Sequence, residues 1–229
     1  MNPRLMKDGI YEAIAQIGKA AASPKRLELL DMLCQGEKTV EELTAHSQMS
    51  MKLTSAHLRI LRSARLVETR RAGKNVFYRA ANDQVSSFWV GIRSLAEQRF
   101  TEIGRTLDNY FNQPEGMAQV DRKTLLKRVR DAEVVVVDVR PESEYRAGHL
   151  PHALSIPLGE LKKRLSQIPK SKEVIAYCRG PYCILSHEAV ELLRKKGYRA
   201  ARLSDGVAEW KTAGFPVPTD HSSRKREHA

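Results

Sequence analysis

Cysteine is scarce in this chain, with three in 229 residues. An odd, small number at this length does not build a disulfide framework, and a reducing cytoplasm is the expected compartment. Long apolar runs are also lacking. Val134 to Val137 reads as one buried strand and falls far short of a membrane span. Met1 to Asp8 has neither the apolar core nor the cleavage pattern of a signal peptide. These absences set aside secreted, disulfide-stapled and membrane-spanning classes, and no membrane partner is expected.

What is present suits two ordinary domains, because 229 residues with 41% hydrophobic content can bury two cores. The formal charge of +12 invites nucleic acid. Its distribution does not locate a site, since residues 1–115 carry 17 Lys and Arg against 13 Asp and Glu, and residues 116–229 carry 22 against 14. Part of the second excess is Arg224-Lys225-Arg226, in a basic tail, 220–229, expected to be disordered.

Along the first half, Ile10, Ile14 and Ile17 follow a helical period, with Leu5 and Met6 one turn earlier. Ser23-Pro24 reads as a cap followed by proline at the first helical position, opening a helix with Leu27, Leu29, Leu30 and Leu33 inward. Thr39 with Glu42 has the capping-box spacing. After a break at His46-Ser47-Gln48, a helix from Met51 to Ser63 is predicted with Leu53, Leu58 and Leu61 inward. Two β-prone runs around Ala72-Gly73-Lys74 read as a hairpin. One long helix, about Gln84 to Phe111, is predicted before Gln113-Pro114-Glu115-Gly116.

Helix, turn, helix and basic hairpin in that order make a winged helix-turn-helix. The segment from Leu53 to Val67, continuing from Arg70 to Tyr78, resembles the ArsR (ArsR/SmtB) family of bacterial repressors. The resemblance implies a homodimer, held by its first and last helices, on a palindromic double-stranded operator. Candidate DNA-binding residues are Gln48, Ser50, Lys52, Thr54, Ser55, His57 and Arg59 on or before the second helix, and Arg70, Arg71, Lys74 and Asn75 on the wing. The basic groups suit phosphates, while Gln48, Lys52, Ser55 and His57 suit base edges. Some family members bind metal or arsenic through a Cys-Val-Cys pattern before the turn. Here those positions are Thr39, Val40 and Glu41, and no histidine lies between residues 83 and 112. Soft and borderline metals need thiolate or imidazole, so no metal and no cofactor is expected. Cys34, beside Leu30 and Leu33, reads as a small buried hydrophobe.

The second half turns on Tyr177-Cys178-Arg179-Gly180-Pro181-Tyr182-Cys183, which closes a strand (Glu173 to Tyr177) and opens a helix (about Ile184 to Lys196). A turn of this kind gathers backbone N–H groups, and the helix adds the positive end of its dipole. A thiol held there is favoured as thiolate. Cys178 is therefore the candidate nucleophile, with Arg179 lending charge and Arg179, Gly180, Pro181, Tyr182 and Cys183 forming an anion-binding loop. Strands at Val134 to Asp138 and Ala201 to Leu203, with helices at Asp121 to Arg130 and Gly159 to Ile168, predict an α/β sheet with its ligand at the strands' carboxyl ends.

Asp138-Val139-Arg140 with Glu144-Tyr145 and Gly148-His149, the cysteine loop, Gly206-Val207-Ala208-Glu209-Trp210 and Gly214-Phe215-Pro216 resemble a single rhodanese domain. That resemblance implies sulfur transfer. Cys178 attacks a sulfane donor (thiosulfate, polysulfide or persulfide), becomes a persulfide, and gives the sulfur to an acceptor thiol. Cys183, across the loop, is a candidate to resolve that persulfide as a disulfide. The related phosphatases and arsenate reductases carry an arginine where this chain has Ile184, so phosphate and arsenate chemistry lack their clamp. Asp138 and Arg140 are expected to brace the loop from below, Glu144 and His149 to fix the loop after the first strand, Trp210 to be core, and His187 to be structural.

The expected fold is an α+β winged helix-turn-helix domain (1–112), a linker (113–117), and an α/β rhodanese domain with a mainly parallel sheet (118–219). Three function classes follow: a DNA-binding regulator, expected to be a repressor, whose rhodanese domain responds to sulfur; a sulfurtransferase using its DNA domain for dimerisation or autoregulation; and an arsenic or metal sensor using cysteines.

Overall fold

The computed structural model describes residues 2–111 and 122–220. The linker 113–117, the tail beyond residue 220 and the expected helix start at Asp121 lie outside the described residues. Contacts divide the chain into two units, meeting between Trp89 and Val90.

In the first unit, Asn2 caps α1 (Pro3–Ala21) by accepting from the Arg4 N–H. Ser23 occupies the cap of α2 (Pro24–Leu33), but its side chain makes no cap bond; its carbonyl accepts from Leu27 instead. A two-residue strand, β1 (Lys38–Thr39), leads into α3 (Val40–Ser47). The capping box forms as its spacing predicts: Thr39 N–H donates to Glu42 at 2.7 Å and Glu42 N–H to Thr39 Oγ1 at 3.2 Å. Gln48 turns the chain with a left-handed backbone, φ 53°, and Ser50 caps α4 (Met51–Ser63).

The phase of α4 differs from the expectation. Its buried stripe is Thr54, Leu58 and Leu61, an i, i+4, i+7 set, whereas Leu53 is exposed. Strands β2 (Val67–Ala72) and β3 (Asn75–Ala80) form the wing, paired from Val67–Ala80 to Ala72–Asn75. Gly73 takes φ 58° at the tip, where a side chain would be strained. β1 adds an edge to β3, giving a three-stranded antiparallel sheet that the sequence did not mark. Leu29, Leu30, Leu33, Leu43, Leu58, Leu61 and Trp89 form this unit's core, with Cys34 partly buried against it.

The predicted single long helix is two, α5 (Asp83–Arg99) and α6 (Thr101–Phe111). Phe100 ends one by donating to Ala96 and starts the next by accepting from Ile103, with no glycine or proline to announce the break. The division between units falls within α5.

In the second unit, α7 (Arg122–Arg130) precedes β4 (Val134–Asp138), α8 (Glu142–Ala147), β5 (Leu154–Ser155) and α9 (Leu158–Leu161). Then follow β6 (Glu173–Tyr177), α10 (Leu185–Lys195), β7 (Ala200–Arg202) and α11 (Val207–Thr212). The helix expected over Gly159 to Ile168 is one turn plus a 3-10 turn at Leu165–Gln167. Bonds from Lys163 to Glu160 and Arg164 to Leu161 tighten the chain ahead of Pro169. The four strands are all parallel, in the order β5-β4-β6-β7. Alternation along β6 sends Val174, Ala176 and then Cys178 into one core layer, and Ile175 and Tyr177 into the layer on the other face.

Candidate functional site

The cysteine loop leaves the carboxyl end of central strand β6, where open parallel sheets place their ligands. Cys178 is buried, and its sulfur is bonded to that of Cys183 at 1.97 Å, with the two Cα atoms 6.3 Å apart. That Cα separation is within the range disulfides span. Cys183 also donates its N–H to Gly180 O at 3.3 Å, so this expected anion donor is engaged inside the loop.

Two glycines shape the loop. Gly180 takes φ 127°, a backbone that side chains rarely adopt. Gly206 lets the backbone approach closely: a Cβ there would lie 2.6 Å from Arg179 C and 2.8 Å from Gly180 N. The Gly206 N–H donates to Glu209 Oε2 at 2.6 Å, and the Glu209 carboxylate also accepts from Arg93 in a buried ion pair.

Arg179, expected to lend its charge to the loop, is committed elsewhere. Its guanidinium forks onto the buried Glu144 carboxylate, Nη2 to Oε1 at 2.7 Å and Nε to Oε2 at 2.9 Å. The Glu144 carboxylate therefore offsets the charge of Arg179. Beneath, Arg140 forks onto Asp138, donating Nη2 to Oδ2 at 2.6 Å and also to Gly148 O at 2.8 Å. Tyr177 donates its hydroxyl to Asp138 at 2.5 Å and accepts from Leu150 N–H at 3.1 Å. Burial and the Asp138 charge hold the Tyr177 phenol well above its ordinary value. His149 stacks on Tyr145 at 3.9 Å, and Trp210 is core against Phe215. His187 meets the edge of Phe111 at 5.4 Å.

Sequence reasoning missed Arg202. It is buried at the end of β7, donating to Ser186 Oγ at 3.0 Å, to Gly180 O at 3.3 Å and to Pro181 O. Its guanidinium carbon lies 4.0 Å from the Phe111 ring centre. Burial lowers its pKa to about 10. The available signal was an arginine inside a short apolar strand, Ala200-Ala201-Arg202-Leu203.

On the winged unit, Gln48, Ser50, Lys52 and Arg59 are exposed, as are Arg70, Arg71, Lys74 and Asn75 on the wing. Ser55 and His57 are half-buried. Arg70 is paired with Glu37 at 2.7 Å and lies over the Phe77 ring. Thr54 is a correction. It is wholly buried, donating to Ser50 O at 3.1 Å and accepting from Thr44 Oγ1 at 3.2 Å, so it braces α3 against α4 and does not face DNA. Among the described residues no group of three or more His, Cys, Asp and Glu is placed to hold a metal ion, and no helix is long and apolar enough to cross a membrane.

A winged helix-turn-helix followed by a parallel α/β unit with a cysteine loop defines a DNA-binding regulator joined to a rhodanese fold. Comparisons agree: the arsR family of bacterial regulatory proteins matches residues 23–69, and the rhodanese-like domain matches 121–213. The chain is 38% identical over 211 residues to the HTH-type transcriptional regulator Rv0324 of Mycobacterium tuberculosis, covering 92% of each. It belongs to the ArsR family of transcriptional regulators, in the form that carries a carboxyl-terminal rhodanese domain. The second half is also similar to a sulfurtransferase of Allochromatium vinosum, 35% identical over 101 residues, covering 43% of this chain and 92% of that one. The first half is similar to a transcriptional repressor SmtB homolog of Synechocystis, 37% identical over 89 residues, covering 39% of this chain and 67% of that one.

Proposed function

We propose that this transcriptional regulator is a sulfur-responsive repressor, with residues 1–112 binding operator DNA as a homodimer and 118–219 reading sulfane sulfur. The observation that carries this reading is the pairing of Cys178 with Cys183 across a loop at the strands' carboxyl ends. The Cys178 thiolate attacks the outer sulfur of thiosulfate, the S–S bond of the donor breaks, and sulfite leaves with the electron pair. Cys178 is then a persulfide. The Cys183 thiolate attacks Cys178 Sγ, expelling hydrosulfide and leaving the disulfide, so two thiols are oxidised as the sulfane sulfur is reduced. A dithiol reductant restores both thiols.

Regulation follows if the reduced and modified loops favour different DNA-affinity states. On the winged unit, the exposed Lys74 and Arg71 suit phosphates, and Gln48, Lys52 and Ser55 suit base edges. The test is intact mass and operator affinity on one sample, before and after thiosulfate or polysulfide. The expected result is a sulfur adduct or disulfide with changed affinity, absent in Cys178→Ser. Modification with unchanged affinity refutes the coupling. It would leave the second reading, a sulfurtransferase whose DNA domain serves dimerisation or autoregulation, which the similarity to a protein named a sulfurtransferase favours.

A further inference from the structure

The loop region contains several arginines, and most meet a carboxylate. Arg179 is held by Glu144, Arg140 by Asp138 and Arg93 by Glu209. Arg202 differs. Among the described residues no carboxylate pairs with it, and its partners are a hydroxyl, two carbonyls and a ring face.

Its position follows from strand alternation. Arg202 is in register with Ala176, two residues before Cys178, and shares the β7 face of Ala200, which packs in the same core layer as Ala176 and Cys178. The two carbonyls it grips belong to Gly180 and Pro181, inside the ring closed by Cys178 and Cys183. Ser186, its third partner, stands in the first turn of α10.

We infer that Arg202 is a positioning residue for Cys178: it ties the cysteine loop to β7 and supplies the buried positive charge that favours the thiolate. This rests on the reading of Cys178 as the nucleophile. A buried cation is costly to leave uncompensated, and burial lowers its pKa to about 10. An anion formed in the loop offsets that cost, whether thiolate, persulfide or departing sulfite. By the same attraction, the cation lowers the thiol's pKa.

The experiment uses the full chain, reduced, in a Cys183→Ser background so that no disulfide forms. Alkylation of Cys178 by iodoacetamide is followed across pH by peptide mass. Arg202→Gln retains polar contacts without charge, and Arg202→Lys retains charge. The expected result is an upward shift of about one pH unit for Arg202→Gln, roughly tenfold slower alkylation at acidic pH, with Arg202→Lys close to the parent. Unchanged midpoints in a folded Arg202→Gln protein overturn the inference. Should that variant fail to fold, the parent's Arg202 Nε–H NMR signal is followed instead. It must titrate with the Cys178 midpoint and become flat in Cys178→Ser; a signal that ignores Cys178 overturns the inference. Thiosulfate loading of the unsubstituted chain is scored separately. A shifted midpoint without loading refutes the sulfur reading and leaves Arg202's role intact; loading with an unshifted midpoint does the reverse.

Discussion

Replacing Gly206 by alanine tests how the loop is seated. The backbone there, φ −109° and ψ −168°, is open to any residue, so conformational strain is not the issue. Space is. The new methyl would lie 2.6 Å from Arg179 C, 2.8 Å from Gly180 N and 2.9 Å from Arg179 O, all main-chain atoms that cannot swing aside. Either α11 or the cysteine loop must move by several tenths of an ångström. Overpacking of this kind costs about 1–3 kcal/mol. For a domain of roughly 100 residues, that lowers the melting transition by roughly 5–20 °C. Displacement of Cys178 should also slow its loading by thiosulfate by ~10-fold or more, since small misplacements of a reacting group are expensive. Differential scanning calorimetry and a mass-based loading rate read the two effects. Gly159→Ala is the control, because nothing lies within 4 Å of its added methyl. A Gly206→Ala protein with unaltered melting and loading would refute the close-approach argument.

Other substitutions separate the remaining contacts. Arg179→Ala leaves Glu144 buried without its fork and should destabilise the chain by about 3 kcal/mol, with Glu144→Ala adding less than its single effect in a double-mutant cycle by urea unfolding. Tyr177 has its folded pKa raised, so the stability it contributes is complete below the unfolded phenol's value of 10.0 and falls as pH rises beyond it. Tyr177→Phe should therefore lower the urea midpoint at pH 8, for want of its two hydrogen bonds, yet flatten the loss above pH 10. Thr54→Val should cost about 1–2 kcal/mol through its buried hydroxyl and leave operator affinity per folded protein unchanged. Lys74→Ala should instead weaken binding evenly across sequences and reduce the salt slope by about one in a fluorescence titration.

The elements most legible in the sequence were those written in local chemistry. The Thr39–Glu42 box, Gly73 at the wing tip and the β-branched run of β4 each carry their own physical reason, and the structure forms each one. The break at Phe100 has no such mark, because a helix can restart on a carbonyl without a glycine or proline. The phase of α4 departs from the apolar pattern for a related reason. Leucine outranks threonine in apolarity, but Ser50 as cap and the bond from Thr44 turn Thr54 inward and Leu53 outward. Tertiary polar contacts overrode the simple pattern.

The place of the site was legible in the sequence, and its electrostatics were not. Cys178 could be singled out from a strand-to-helix turn, but the effect of each charge depends on what it meets, and those partners are remote in sequence. Arg179 is adjacent to Cys178 and looked like the loop's cation, yet Glu144 takes up its charge. Glu209 opens α11 by accepting from Gly206 N–H, and the same carboxylate receives Arg93. With these pairs closed, Arg202 is the arginine that holds two of the loop's carbonyls with no carboxylate partner among the described residues. A neutralised arginine next to the thiol in sequence and one on the adjoining strand with no carboxylate partner among the described residues can lower a thiol pKa to very different extents. On the inference drawn above, the charge at position 202, and not the one at 179, sets how readily the Cys178 thiol ionises.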